Sequence, residues 1–180
     1  MERKKAEIMD EGAMRRAINR ITYEIIERNG GTENLVLAGI RTRGVDLAQR
    51  IAAKIKELEG VSLPVIALDI TPFRDDCSAK TDGQLQTIEH VEQKTVIIVD
   101  DVISTGRTVR AAMEAVLHMG RAQCIQLAVL IDRGHRELPI RPDFVGKNLP
   151  TSRSETVRVS VTEQDDRDCV VILTGADGNI

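Results

Sequence analysis

Met14, Ile18, Ile21 and Ile25 recur three and four positions apart, the period of one helical face, and Asp10 stands where an N-cap belongs. Asn29-Gly30-Gly31 ends this first predicted helix. Leu35 to Ile40 is then a short apolar run between polar residues, which predicts a buried strand. After the turn Arg41-Thr42-Arg43-Gly44, helical spacing returns at Leu47, Ile51 and Ile55 and runs to about Glu59. Val61 to Ile70 predicts a second strand, and Pro64 near its start argues for an edge position or an irregular entry. Residues 71–94 keep no period and carry Pro72, Gly83 and many charges, so they predict a long mobile lid loop. A β-branched strand at 95–99 follows, then a helix with Ala111, Ala112, Ala115, Val116 and Met119 that Gly120 stops. Cys124 to Ile131 predicts another buried strand. The polar segment Asp132 to Arg153 leads to two closing strands, near 155–161 and 169–174, joined by an acidic turn.

Strands that alternate with helices predict βαβ units, hence an α/β fold with a mostly parallel central sheet flanked by helices. The chain has 180 residues and shows no repeat, low-complexity tract or linker, so residues 1–180 read as one domain. Its net charge of −3 excludes a global basic field, and any nucleic-acid contact would need a local patch. No apolar run approaches a membrane span, and Met1-Glu-Arg-Lys-Lys lacks the apolar core of a signal peptide. A cytoplasmic protein with no membrane association is expected. Cys77, Cys124 and Cys169 lie far apart without metal spacing, and His90, His118 and His135 form no cluster. Reduced thiols and no protein-bound metal are therefore expected.

The chemistry concentrates at residues 96–108, Val-Ile-Ile-Val-Asp-Asp-Val-Ile-Ser-Thr-Gly-Arg-Thr. A buried strand delivers Asp100 and Asp101 to the carboxyl edge of a parallel sheet, where ligands of open α/β folds bind. Ser104, Thr105, Gly106 and Thr108 follow, and this turn at a helix start offers backbone N–H groups and hydroxyls to a phosphate monoester. Carboxylates beside a phosphate cradle suit a ligand with vicinal hydroxyls and a phosphate, the layout of ribose 5-phosphate. A Walker B strand is a rival, but no Gly-x-x-x-x-Gly-Lys-[Ser/Thr] stands upstream. A phospho-acceptor aspartate would leave Thr105-Gly106-Arg107-Thr108 unexplained.

This stretch resembles the phosphoribosyl-diphosphate (PRPP) signature of the type I phosphoribosyltransferases. The resemblance implies that fold, with a mobile lid, and implies that Asp100, Asp101, Val102, Ile103, Ser104, Thr105, Gly106, Arg107 and Thr108 bind PRPP. It assigns Thr42 and Arg43, at a second strand-to-helix turn, to pyrophosphate. Asp100, Asp101 and Arg43 become the catalytic candidates. Asp132-Arg-Gly-His-Arg-Glu-Leu-Pro-Ile-Arg141, with Asp69-Ile70-Thr71 and Arg74-Asp75-Asp76, resembles the PyrR family, pyrimidine operon attenuators that are also uracil phosphoribosyltransferases. That likeness covers about residues 10–160. It implies that uracil and PRPP give UMP and pyrophosphate, with Mg2+ bound mainly through PRPP. Arg133 and the backbone near Val157 would flank the base, although an ordinary strand residue explains Val157 nearly as well. Pro142-Asp143-Phe144-Val145-Gly146 also resembles a segment of the purine transferases, in keeping with a shared base pocket.

The family further implies a homo-oligomer, dimer or higher, whose basic surface binds a stem-loop of the pyr mRNA leader. The candidates are Arg15, Arg16, Arg20, Arg136, Arg141, Lys147 and Arg153, and plain solubilising arginines remain the rival reading. Two departures stand out. Position 104 is Ser, where purine transferases often carry Asp and PyrR members commonly Tyr. Cys77 to Glu92 looks short for a lid, with Lys80 and Lys94 as the nearby lysines. A shortened lid would admit water, so a nucleotide-sensing RNA-binding regulator with little or no transferase activity is the alternative.

Overall fold

A computed structural model describes residues 3–75 and 91–174. Strand β1 (Arg3–Met9) leads into helix α1 (Glu11–Asn29). The Asp10 carboxylate accepts the Ala13 N–H at 2.7 Å, satisfying one of the free donors that every helix start leaves. Asp10→Ala is expected to lower stability by about 1 kcal/mol, read as a lower urea midpoint at unchanged slope. The predicted face of α1 is buried: Met14, Ile18, Ile21 and Ile25 are each at most 5% exposed.

Strand β2 (Leu35–Ile40), helix α2 (Arg43–Glu59), strand β3 (Val65–Leu68), strand β4 (Thr95–Ile103), helix α3 (Arg107–Met119), strand β5 (Cys124–Asp132) and strand β6 (Phe144–Asn148) follow. They build a five-stranded sheet in the order β3-β2-β4-β5-β6, and every pairing in it is parallel. Alternate residues of β2, β4 and β5 enter two apolar clusters, one under α1 and α2, the other under α3. Because both faces are covered, these central strands read as continuous apolar runs rather than alternating ones. Strands β7 (Glu155–Ser160) and β8 (Cys169–Thr174) pair antiparallel with each other, and β1 pairs with β8. This smaller sheet sends Val157, Val159 and Val170 into the α1–α2 cluster.

Several expectations are corrected. The strand expected over Val61 to Ile70 shortens to Val65–Leu68, and it lies at the sheet edge, as Pro64 implied. The strand expected at 95–99 continues to Ile103, so the acidic pair lies within it and not after it. β6 occupies part of the segment read as polar connection, and β1 was not anticipated. At the ends of the expected lid, Thr71–Phe73 is a 3-10 turn, and Val91 is wholly buried in the cluster under α3. Residues 76–90, with the expected mobility, Cys77, Lys80 and His90, lie outside the described residues. Cys124 and Cys169 are free thiols. Among the described residues no helix is long and apolar enough to cross a membrane.

Candidate active site

The carboxyl edge of β4 carries the two aspartates. Asp100 is 7% exposed, and its Oδ1 accepts the Asp101 N–H at 2.9 Å. The Val102 N–H donates to Asp101 Oδ1 at 2.8 Å. Burial raises the pKa of both groups, and at Asp100 the neighbouring Asp101 charge adds to it. At Asp101 the rise is opposed by hydrogen bonds from its neighbours and by the positive charge of Arg43. A buried carboxyl raised in this way suits a site that meets a cationic centre, whose arrival restores full charge.

Each folded value lies above the ordinary 3.8, so the groups favour the fold below that pH, and the advantage is lost as pH rises through the raised values. Asp100→Asn keeps an oxygen for the Asp101 N–H and removes a buried charge. It is expected to raise the melting temperature at pH 7 while lowering activity, the trade-off of a strained site. A wild-type protein that melts higher than this variant at pH 7 would contradict it.

Ser104, Thr105 and Gly106 turn the chain from β4 into α3. Gly106 has φ 93°, a backbone that side chains disfavour, and this sets the sharp entry to the helix. The polar late loop braces the turn from outside. The N–H groups of Glu137 and Leu138 donate to the Thr105 carbonyl at 3.0 and 3.2 Å. The turn and the first residues of α3 open on a cavity of about 380 Å3 lined by Arg74, Asp75, Thr105, Arg107 and Thr108. Asp75 bridges Arg107 at 2.7 Å and Arg110 at 3.2 Å, and Arg107 also meets Glu137 at 2.8 Å, so the guanidinium groups near the cavity are each paired with carboxylate. These are the hydroxyls, helix N–H groups and cations with which a phosphate monoester is held.

The second turn lies between β2 and α2. The Arg41–Thr42 peptide is cis, Thr42 stands at the N-cap position of α2 without a side-chain capping hydrogen bond, and Arg43 is the first residue of the helix. Arg43 donates from Nε and Nη2 to the Asp165 carboxylate at 3.1 to 3.3 Å. The Gly44 backbone sits against the Val99 carbonyl, which brings this turn beside the residue preceding Asp100.

Arg133 follows β5, and its N–H donates to the Ile103 carbonyl at 3.1 Å. Its Nε is buried and meets no partner among the described residues. Arg133 also lines a cavity of about 300 Å3 with His135, Asn148 and Thr151. The Val157 side chain packs in the core, so only its backbone, on the edge strand β7, is available to a base.

The expected basic surface divides. Arg15, Arg16, Arg141, Lys147 and Arg153 are exposed. Arg20 is exposed as well, but it also donates to the carbonyls of Val145 and Gly146 and pairs with Glu24, tethering α1 to β6. Arg136, by contrast, is half-buried and engaged inside the protein. It donates to the Ile140 carbonyl at 2.8 Å, the Ser104 carbonyl at 2.8 Å and Asp132 at 2.6 Å. Its geometry makes it a brace of the turn from β4 into α3. Asp165 and Glu137 were missed, because no periodicity or motif marks a residue that acts on a distant turn.

Among the described residues no three His, Cys, Asp or Glu side chains converge as a metal cage. Asp100 and Asp101 are oxygen donors of the kind a hydrated magnesium accepts, and they fit a metal carried largely by its substrate.

A family model for a phosphoribosyl transferase domain matches residues 5–164. The bifunctional protein PyrR of Streptococcus pneumoniae is 56% identical over 173 residues, covering 96% of this chain and 99% of the relative. The bifunctional protein PyrR of Streptococcus uberis is 56% identical over 170 residues, covering 94% and 98%. These coverages make the chains nearly equal in length, so the length comparison gives a shortened lid no support. A hypoxanthine phosphoribosyltransferase from Trypanosoma cruzi, solved with the product IMP, superposes with a TM-score of 0.70 at 18% identity. The alignment covers 94% of this chain and 90% of that one, a likeness of fold alone. By the family match and by identity along nearly its whole length, the chain belongs to the phosphoribosyl transferase family and, within it, to the PyrR proteins.

Proposed function

We propose that the protein transfers the phosphoribosyl group of PRPP to uracil, giving UMP and pyrophosphate. We propose too that it binds a pyr mRNA leader stem-loop under the control of uridine nucleotide. The observation that carries the transferase reading is the meeting of two elements at one sheet edge: a buried aspartate pair, and a Ser-Thr-Gly turn opening a helix onto a cavity. The turn would hold the 5′-phosphate of PRPP, and Asp100 and Asp101 its ribose hydroxyls. Loss of pyrophosphate builds positive charge on the ribose, which the two carboxylates oppose without reorganising. Thr42 and Arg43 would hold the departing pyrophosphate, and Arg133 with the β7 backbone would flank the uracil. Magnesium bound with PRPP would supply charge neutralisation of the leaving group.

The RNA reading rests on the relatives' bifunctional character and on the exposed cations Arg15, Arg16, Arg141, Lys147 and Arg153. We place the protein in the cytoplasm as a homo-oligomer, as its kinship suggests. Two measurements separate the readings. Steady-state assay of uracil with PRPP and magnesium is expected to yield UMP; absence of UMP formation alongside measurable UMP binding would favour a pure regulator. Gel-shift of a pyrimidine leader transcript is expected to tighten with UMP and to weaken steeply with salt. Indifference to UMP would remove the regulatory half.

A further inference from the structure

Arg43 opens α2 beside the acidic pair, and its charge is felt at Asp101. An arginine at a helix start, on a long side chain, has many orientations open to it, and fixing one is costly in entropy. Here the orientation is fixed from the other sheet. Asp165, on the connection between β7 and β8, accepts from Nε and Nη2 of Arg43 in a fork. Asp165 is itself anchored. Its Oδ2 also accepts the Val161 N–H at 3.0 Å, and its own N–H donates to the Val161 carbonyl at 2.7 Å.

The fork uses one side of the guanidinium. Among the described residues Nη1 meets no acceptor, so two donors stay available on the other side. An ion pair that buried every donor would sequester Arg43. This one, in which the side chains keep 35% and 27% exposure, holds the group in place with a working edge open.

We propose that Asp165 is the positioning residue of the leaving-group site: it orients Arg43 so that the free edge of the guanidinium receives pyrophosphate. The inference rests on the reading of Thr42 and Arg43 as the pyrophosphate turn. Asp165 makes no contact with substrate in this account and acts only through Arg43. It thereby ties the smaller sheet, whose β7 edge would meet the base, to the turn that would hold the leaving group.

Inorganic pyrophosphate, with magnesium and UMP present, is titrated calorimetrically into wild type, Asp165→Asn, Asp165→Glu, Arg43→Ala and the Arg43→Ala/Asp165→Asn double variant. UMP alone is titrated into each as a control, because it carries no leaving group. Asp165→Asn retains an acceptor for the Val161 N–H and loses the charge. It is expected to weaken pyrophosphate and to raise KM for PRPP about tenfold, with UMP affinity unchanged. Asp165→Glu keeps the charge but displaces it by a methylene, and should fall between wild type and Asp165→Asn. The double variant should bind pyrophosphate no more weakly than Arg43→Ala, since the partner acts through the arginine. If Arg43→Ala weakens pyrophosphate while Asp165→Asn does not, the inference is overturned and the pyrophosphate turn stands. If Arg43→Ala itself has no effect, the reading of the turn fails and the inference with it. If Asp165→Asn weakens UMP as much as pyrophosphate, Asp165 serves the fold in general and the inference is overturned.

Discussion

Asp101→Asn is expected to lower kcat/KM for UMP formation at least ~100-fold, the scale set by losing one preorganised charge at a reacting centre. The substitution is nearly isosteric, and its remaining oxygen can still accept the Val102 N–H now at 2.8 Å from Asp101 Oδ1. Local structure therefore persists while the negative charge does not. The transition state has more positive character at the ribose than the ground state, so the loss should fall on kcat and kcat/KM together. Asp101 is the better target of the pair. Burial raises its pKa, but Arg43 and backbone donors pull the other way, and its neighbour Asp100 is raised well above the ordinary value with no such help from Arg43. Asp101 is thus the less strongly raised member, and activity should climb with pH as the pair ionises. Near-native kinetics for Asp101→Asn would remove the ribose role from the pair.

The second large effect is structural. Gly39→Val is expected to destabilise the protein by about 3 kcal/mol or more, measured by chemical denaturation with the wild-type slope as reference. A Cβ built at Gly39 would lie 2.5 Å from the Gly44 carbonyl oxygen, 2.5 Å from Val45 Cα and 2.6 Å from Val45 N. All three are backbone atoms of the first turn of α2, which cannot rotate away as a side-chain tip can. A Cβ on Gly44 would in turn lie 2.5 Å from the Val99 carbonyl oxygen. The two glycines therefore let α2 start flush against β2 and β4, and this contact places Thr42 and Arg43 beside Asp100 and Asp101. Any surviving fold should bind pyrophosphate weakly. A change under about 1 kcal/mol would show that the helix start is free to shift, contrary to this close approach.

The parts of the fold legible in the sequence are those where one physical cause acts alone. Helix α1 has a cap at Asp10 and a face of period 3.6, and both are local. The turn from β4 to α3 is legible because phosphate chemistry demands small, hydroxyl-bearing and glycine residues in sequence. Strand β1 is hidden because Lys4, Lys5 and Glu7 dominate its composition, and its pairing partner β8 lies at the far end of the chain. Strand β6 is hidden by Pro142 before it and by Gly146 within it, although Gly146 is required there: a Cβ would lie 2.5 Å from the Leu130 carbonyl oxygen of β5.

The candidate site divides in the same way. Thr105, Arg107 and Thr108 sit close in sequence and line one cavity, and Asp100 and Asp101 precede them on the strand that leads into the same turn. Arg20 and Arg136 look like free cations in the sequence, since nothing local reveals the carbonyls they meet 125 and 32 residues away. Asp165 is the reverse case, an acidic loop residue whose partner Arg43 is 122 positions distant. Composition cannot tell a solvated charge from an engaged one, and the fold alone decides between them.

A crystal of the protein soaked with UMP would show directly whether the turn and the acidic pair hold one nucleotide. The 5′-phosphate is expected on the N–H groups and hydroxyls of Thr105 to Thr108, and the ribose diol on Asp100 and Asp101. A nucleotide bound elsewhere, with that turn empty at saturating UMP, would contradict it.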